Sequence, residues 1–456
     1  MVPQINDQPM LLKKFLQKNR LREGDKIKAT YYSNALEGII TPSPLKDTLV
    51  LKLNSGYNIG IRPSRIEKIE KVASTRGVSK AEKTIAKKNQ FLPTVSILQI
   101  GGTIAARVDY KSGAVFSSFE PADLISMFPD LSELANLESR LISNMFSEDM
   151  GFAHYKKIAK EIEKEMKKDI AGIILPHGTD TMHYSAAALS FMIENPKIPI
   201  ILVGSQRSTD RGSSDAAMNL ISAMEFITKT DFAGIGICMH ESMNDDYCVI
   251  LPACKTRKLH TSRRDAFKPV NDTPIARINY KAREIEFIKK DHQKRNSSGR
   301  TVFRPNIDER VALIKTHPNI KAGLFDYFRK TRIRGLVIEG TGLGQLPIGT
   351  PNELCIENPE IKKSLEKLIK SGCIVVMTSQ CIFGRMQMHV YDNAVELVKM
   401  GVIPSEDMLA ETAFIKLAWL LGNYKNKWEV RKLMQENLRG EITPFTRINS
   451  FNFPAQ

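Results

Sequence analysis

From residue 92 onward, short runs of apolar residues alternate with segments that have the residue pattern of helices. Four such runs occupy the first half of this region: TVSILQI (94–100), AGIILP (171–176), IPIILVGS (198–205) and FAGIGICM (232–239). A continuous apolar run of this length is typical of a strand buried on both faces, and the intervening helices supply the cover. The alternation therefore predicts an α/β fold built on a parallel sheet.

A second α/β pattern follows a polar, loop-like segment at residues 284–306. Its apolar runs are VALIKT (311–316), GLVIEGTG (335–342) and CIVVMTSQ (373–380), and amphipathic helical sequence continues over 407–438. We therefore expect an α/β domain at residues 91–305 that carries the functional site. A smaller α/β domain with a helical tail is expected at residues 306–456.

The first ninety residues differ from the rest in both pattern and charge. Their strand-like runs, DKIKATYY, LEGIITPSP, TLVLKLN and YNIGIRP, are short and closely spaced, which favours a small antiparallel β-barrel. A barrel domain with a linker is therefore predicted at residues 1–90, and the charged segment at residues 64–89 is predicted to be that linker, with some helix. This segment holds 18 Lys and Arg against 8 Asp and Glu, a net +10 of the +16 on the whole chain. Such an excess fits attraction to a polyanion such as nucleic acid, and it equally fits a solubilising surface.

Several features are lacking, and each absence shapes the expectations. No stretch approaches the ~20 apolar residues of a membrane span, and no long apolar segment of a signal peptide is found near the N-terminus, so we expect a mature chain that starts near residue 1. The six cysteines form no CxxC pair, which fits a reducing compartment, and the cytoplasm is the expected location. Without a phosphate-binding loop or metal-type histidine spacing, neither a nucleotide nor a metal is expected on this chain.

Small and polar residues follow four of the predicted strands at their carboxyl ends. These ends read Gly101-Gly102-Thr103, Gly178-Thr179-Asp180-Thr181, Gly204-Ser205-Gln206-Arg207 and Glu339-Gly340-Thr341-Gly342. Open parallel sheets bind ligands beyond this edge, and glycine lets a ligand approach the backbone closely. Thr179 and Asp180 also precede a predicted helix, where both residue types are preferred N-caps.

A threonine hydroxyl near pH 7 is a weak nucleophile and needs a positioned base. Lysine is the remaining residue type that could activate the threonine hydroxyl. A carboxylate such as Asp180 would hold the lysine in place, and desolvation would lower its pKa. The residues alone do not single out one lysine among 66 Lys and Arg. The polar segment CKTRKLHTSRRDAFKP (254–269) is a candidate, and it equally fits a solvated loop.

Two of these motifs resemble the signature sequences of the bacterial-type L-asparaginase/glutaminase family. They are QIGGTIA at residues 99–105 and PHGTDTM at residues 176–182. The segment HTSRRDAF (260–267), preceded by Lys258, resembles the lysine segment of that family. The similarity covers roughly residues 93–420 and implies an asparaginase-like two-domain core, preceded here by the additional N-terminal barrel.

The resemblance implies catalytic roles for four residues. Thr103 corresponds to the acyl-accepting nucleophile of the family, and Thr179, Asp180 and Lys258 correspond to its second catalytic group. In that group Thr179 would position or activate a water or the nucleophile, and Lys258 and Asp180 would tune it. Spacing alone does not decide whether Thr103 or Thr179 attacks.

The resemblance also implies how the substrate is held. The implied binding residues are Ser147, Glu148, Gly102 and Gly178. Ser147 would bind the α-carboxylate, and Glu148, in place of the usual glutamine, could take the α-ammonium together with Asp180. Two positions depart from the family pattern: Tyr110 is nearer the first motif than the lid tyrosine of the family, and Leu343 replaces an asparagine found in many asparaginases.

The sequence KLHTSRRDAF (258–267) and the basic N-terminal barrel together make the chain similar to the D subunits of archaeal glutamyl-tRNA(Gln) amidotransferases. This resemblance implies a glutaminase that supplies ammonia to a partner, the E subunit, which would bind ATP and Mg²⁺ and amidate Glu-tRNA(Gln). It further implies a homodimer within a heterotetramer. Two alternatives stay open: a free-standing asparaginase with an accessory domain, and a tRNA-binding subunit with a vestigial site.

Overall fold

The computed structural model describes residues 12–31, 34–41, 43, 45–53, 58–74, 89–101, 106–108, 115–117, 128, 130–208 and 214–446. Its larger sheets fall in three consecutive parts of the chain, at residues 25–74, 94–287 and 311–404. The domain boundaries given above stay predictions. No helix among the described residues is long and apolar enough to cross a membrane.

The N-terminal part is a five-stranded antiparallel sheet with one short helix. Its elements are α1 (Leu12–Lys18), β1 (Asp25–Tyr31), β2 (Asn34–Thr41), β3 (Leu49–Leu53), β4 (Asn58–Ile61) and β5 (Ile66–Ser74). The strands lie in the order β4-β3-β2-β1-β5 around a small core that includes Ile27, Ile40 and Leu51. The predicted small antiparallel β domain is confirmed, and the closure of its sheet into a barrel stays a prediction. The linker expected to begin near residue 64 is wrong over β5, because residues 66–74 pair with β1.

The second part is a mixed eight-stranded sheet. Its strands are β6 (Thr94–Gly101), β9 (Asn136–Met145), β10 (Gly172–Pro176), β12 (Pro199–Val203), β13 (Gly234–His240), β14 (Tyr247–Pro252), β17 (Ala276–Asn279) and β18 (Glu284–Phe287). They are ordered β18-β17-β14-β13-β12-β10-β6-β9. The four predicted strands β6, β10, β12 and β13 are parallel, as expected. Strand β9, which was not predicted, adds a fifth parallel strand at the edge, and β14, β17 and β18 are antiparallel.

Two hydrophobic cores cover the two faces of this sheet. The flanking helices are α2 (Leu131–Leu134), α3 (Phe152–Glu165), α4 (Met182–Met192) and α5 (Ala216–Lys229). Along β12, Ile200 and Leu202 face the core of α3 and α4, whereas Ile201 and Val203 face the core of α5. Both faces are apolar because side chains alternate along a strand, which explains the continuous apolar runs.

Short strand pairs complete this part of the chain. They are β7 (Ala106–Val108) with β8 (Val115–Ser117), β11 (Ile193–Glu194) with β19 (Val302–Phe303), and β15 (Thr256–Lys258) with β16 (Phe267–Pro269). The third pair is an antiparallel hairpin in which Lys258 is paired with Phe267. Residues 256–269 therefore form a hairpin and not the solvated loop that the polar sequence of this segment also fitted.

The third part is a parallel four-stranded sheet with helices. Its elements are β20 (Val311–Lys315), α6 (Gly323–Lys330), β21 (Gly335–Gly340), α7 (Asn358–Lys370), β22 (Ile374–Ser379), α8 (Asp392–Met400), β23 (Ile403–Pro404), α9 (Ala410–Asn423) and α10 (Lys427–Gln435). Helix α9 joins the two larger units, since Trp419 stacks on Phe191 of α4 with ring centroids 5.6 Å apart.

Candidate active site

The carboxyl ends of β6, β10 and β12 lie side by side in the second sheet. Strand β6 ends at Gly101, whose φ of +120° and close approach to Met145 leave no room for a Cβ. Gly102 and Thr103 follow directly and lie outside the described residues, as does Tyr110. The described part of the site lies at the end of β10, where Lys258 contacts the second motif.

Lys258 joins the two polar residues of the second motif. Its Nζ donates hydrogen bonds to Thr179 Oγ1 at 2.9 Å and to Asp180 Oδ1 at 2.7 Å. The lysine side chain is 10% exposed, whereas that of Asp180 is 63% exposed, so one end of the pair is enclosed and the other faces solvent. The structure thus brings together three of the four residues predicted to be catalytic.

Ser147 lies against the glycine of the same motif. It opens a 3₁₀ turn at Ser147–Asp149, and a Cβ on Gly178 would stand 2.8 Å from both its Cβ and its Oγ. Thr181 Oγ1 fastens this turn by donating to the Ser147 carbonyl oxygen at 2.6 Å. Ser147 is buried, and Glu148, the next residue in the chain, is exposed. The structure therefore brings together Ser147 and Gly178, two of the predicted substrate-binding residues.

Thr179 and Asp180 do not cap the helix that follows. Helix α4 begins at Met182, its N-cap residue is Thr181, and no side chain makes a capping hydrogen bond there. The capping interpretation of Thr179 and Asp180 is therefore wrong for this structure. Their side chains turn instead towards Lys258, which arrives from another part of the sequence.

Two buried histidines, His177 within the second motif and His183 directly after it, were given no role by the residue pattern. Burial lowers the pKa of His177 to about 4, and burial together with the charges of Arg257 and Lys258 lowers the pKa of His183 to about 3. His177 Nδ1 donates to the Gly178 carbonyl oxygen at 2.6 Å, and its Nε2 accepts from Ser185 Oγ at 2.8 Å. The neutral ring therefore fixes the backbone at the start of the motif.

The strand that carries Lys258 is anchored to the C-terminal unit. Arg257 pairs with Glu411 of α9 at 3.0 Å. Three residues before Lys258, the fully buried Lys255 Nζ donates to the carboxylate of Asp407 at 2.7 Å and to its carbonyl oxygen at 2.9 Å. Such tethers hold the lysine in place for chemistry that depends on sub-ångström positioning.

The described residues offer no obvious place for a metal. Nowhere in the ranges that the structure describes do three or more His, Cys, Asp or Glu side chains converge as metal ligands would. The contacts around Thr179 are instead those of an acid–base site made of a hydroxyl, an ammonium and a carboxylate.

Comparison with known families agrees with this architecture. A model described as "Asparaginase, N-terminal" matches residues 94–293, and one for the "Glutaminase/Asparaginase C-terminal domain" matches residues 310–434. A third, the "GatD N-terminal domain", matches residues 21–72. The three matches follow the three larger sheets.

Curated relatives align with this chain over nearly their whole length, including the N-terminal part. The D subunit of glutamyl-tRNA(Gln) amidotransferase from Pyrococcus abyssi is 43% identical over 450 residues, covering 97% of this chain and 100% of that protein. The D subunit from Thermococcus kodakarensis is 42% identical over 446 residues, covering 96% and 98%. This chain belongs to the family of glutamyl-tRNA(Gln) amidotransferase D subunits. The predicted family membership is confirmed.

Solved structures place this member of the D-subunit family beside the asparaginases. The thermostable L-asparaginase of Thermococcus kodakarensis matches with a TM-score of 0.66 at 28% identity, over 77% of this chain and 100% of that one. L-asparaginase I of Vibrio cholerae matches with the same TM-score at 27% identity, over 77% and 99%. The asparaginase-like fold is confirmed.

Proposed function

We propose that this chain is the glutaminase subunit of a tRNA-dependent amidotransferase. It would hydrolyse L-glutamine to glutamate and ammonia, and the ammonia would pass to a partner that converts Glu-tRNA(Gln) to Gln-tRNA(Gln). The observation that carries the proposal is the contact of Lys258 with Thr179 and Asp180, next to the strand end that leads to Thr103.

In the proposed reaction a threonine hydroxyl attacks the carboxamide carbon of glutamine. The hydroxyl proton passes through the Thr179–Lys258 group to the leaving nitrogen, the carbon–nitrogen bond breaks, and ammonia departs from an acyl-enzyme. Water then adds to the ester, and glutamate leaves as the threonine regains its proton. Thr103 is the proposed acyl acceptor, and Thr179 stays the alternative.

The proposed substrate contacts match the charges of an α-amino acid. Lys258 occupies only Oδ1 of Asp180, and no described residue bonds to Oδ2 of this exposed side chain, so Oδ2 is available to an α-ammonium. The exposed Glu148 adds a second negative charge nearby. Ser147, pressed against Gly178, is proposed to bind the α-carboxylate.

ATP and Mg²⁺ are proposed to bind the partner, which is the E subunit of the complex. This chain has no GxxxxGK[ST] loop, so activation of the tRNA-linked glutamate is assigned to that partner. We propose further that two copies of this chain form a homodimer within a heterotetramer in the cytoplasm, where charged tRNA is used.

The N-terminal unit is proposed to dock tRNA or the partner protein. Around α1, the side chains of Lys13, Lys14, Lys18 and Arg20 are exposed. None of the four forms an ion pair within the part of the chain that the structure describes. Uncompensated cations of this kind attract an anionic partner, and their contribution would fall steeply with salt.

Changing the nitrogen source tests the proposal. The complex is assayed for Gln-tRNA(Gln) with glutamine or with ammonium chloride, using wild type and Lys258→Ala. Loss of the glutamine-dependent product with the ammonium-dependent product retained would support a glutaminase that feeds a separate synthetic site. Undiminished amidation from glutamine in Lys258→Ala would instead make this site vestigial.

A further inference from the structure

Gln206 contacts Thr179, the same threonine to which Lys258 donates a hydrogen bond. It lies in the loop after β12, and its Oε1 is 3.4 Å from Thr179 Oγ1. The Lys258 ammonium donates to that hydroxyl, and a hydroxyl has one proton, which must therefore go to another acceptor. Gln206 Oε1 is that acceptor, so the amide oxygen faces Thr179 and the amide nitrogen points elsewhere.

The loop that carries Gln206 is held by a buried carboxylate. Asp215, which is fully buried, accepts hydrogen bonds from the backbone N–H groups of Gln206 at 3.0 and 3.1 Å and of Arg207 at 3.0 Å. Ser205 Oγ donates to the same carboxylate at 2.9 Å, and Asn219 Nδ2 donates to it at 3.2 Å. A side chain on so constrained a backbone is preorganised rather than placed by chance.

The amide nitrogen of Gln206 is enclosed but unused. It is buried from solvent and has no hydrogen-bond partner within the described parts of the chain. A buried donor without an acceptor costs on the order of 1–3 kcal/mol. Because it belongs to the same amide group as Oε1, it lies in the immediate surroundings of Thr179, where the carboxamide of the substrate must enter.

We propose that Gln206 contacts the substrate as a further catalytic residue of this site. Its Nε2 donates a hydrogen bond to the carboxamide oxygen of glutamine, while its Oε1 holds the Thr179 hydroxyl in place. The oxygen gains negative charge as the threonine attacks, so a fixed donor stabilises the transition state more than the bound substrate. This inference rests on the proposed glutaminase function.

Two variants separate the two ends of the amide. Gln206→Glu keeps an acceptor for Thr179 and loses the donor, whereas Gln206→Met loses both. With the partner protein and Glu-tRNA(Gln) present, we expect kcat for glutamine to fall about 10- to 1,000-fold in both variants, with the larger loss in Gln206→Met. The KM for glutamine should change less than kcat, and amidation from ammonium chloride should persist.

Gln293→Met serves as the matched control. Gln293 lies in the same part of the chain and donates from Nε2 to Asn195 Oδ1 at 2.9 Å, away from the site, so its variant should keep kcat within about twofold. Thermal unfolding of all variants checks the fold. Wild-type kcat in either Gln206 variant would overturn the inference. A wild-type complex that releases no ammonia from glutamine would instead overturn the proposed function.

Discussion

The Nζ of Lys258 lies 2.9 Å from the Oγ1 of Thr179, although 79 residues of sequence separate them. One residue follows a parallel strand, and the other ends the first strand of a hairpin. The hydrogen bond between Lys258 and Thr179 forms a group through which a proton can be transferred.

Removing the lysine should abolish most of the activity. In Lys258→Ala the Thr179 hydroxyl loses its donor and Asp180 loses its ion pair, so proton transfer has no carrier. We expect the rate of ammonia release from glutamine to fall by about 10²–10⁴-fold. Lys294→Ala removes an exposed lysine whose partner is Asp231, and it should retain the wild-type rate. Equal rates in the two variants would contradict the role of Lys258.

A methyl group on Gly178 should damage substrate binding. In Gly178→Ala the new Cβ would stand 2.8 Å from Ser147 Cβ and Oγ, so the 3₁₀ turn must shift. We expect the KM for glutamine to rise by about tenfold or more, since each 1.4 kcal/mol of lost binding is a factor of ten. In Gly323→Ala nothing lies within 4 Å of the added Cβ, and kinetics should stay as in wild type.

The buried pair of Lys255 and Asp407 should be sensitive to loss of either partner. Burial lowers the pKa of Lys255, which the neighbouring carboxylate opposes. Asp407→Ala leaves the ammonium unpaired, and we expect the free energy of unfolding to fall by about 3–5 kcal/mol in urea titrations. The double variant Lys255→Met/Asp407→Leu should lose less than Asp407→Ala alone.

A solvent-exposed pair provides the comparison. Lys432 and Glu436 lie one turn apart on the surface at 3.6 Å. Breaking this pair with Lys432→Ala should cost less than about 1 kcal/mol. If Asp407→Ala costs no more than Lys432→Ala, the buried pair does not anchor the strand of Lys258.

Acid should destabilise the fold through His177. Burial lowers its pKa to about 4 in the folded chain, whereas an unfolded histidine titrates near 6.5. The unfolded state therefore takes up the proton first, and stability is lost as the pH falls from about 6.5 towards 4. In His177→Gln this dependence should shrink by about 1–3 kcal/mol, measured as unfolding free energy against pH. An unchanged pH dependence would show that His177 does not contribute.

Much of the core and of the candidate site could be predicted because local sequence encodes them. The apolar runs at 171–176 and 198–205 became β10 and β12, and the residues after them became the strand-end loops. The resemblance to the family motifs identified Lys258 as the catalytic lysine, which the residue pattern alone did not distinguish from the other Lys and Arg residues. Thr103 lies outside the described residues, so its placement stays a prediction.

The remaining features depend on contacts between distant residues. The residues around Lys255 in the sequence do not predict its ion pair with Asp407. The residues around Asp215 do not predict its hydrogen bonds to the backbone of the Gln206 loop. The hairpin that carries Lys258 could not be predicted, because its residues do not alternate between apolar and polar as those of a half-buried strand do. The antiparallel strands beyond β13 were also not anticipated, since direction in a sheet is set by how the chain returns.

Ammonia release is the most direct test of the central claim. The purified chain is supplied with glutamine or asparagine, first alone and then with its partner protein and Glu-tRNA(Gln). We predict little release from either amide by the chain alone and a rise of at least about tenfold with glutamine in the full mixture, as expected of a coupled enzyme. Rapid asparagine hydrolysis by the isolated chain, unchanged by partner and tRNA, would contradict the account.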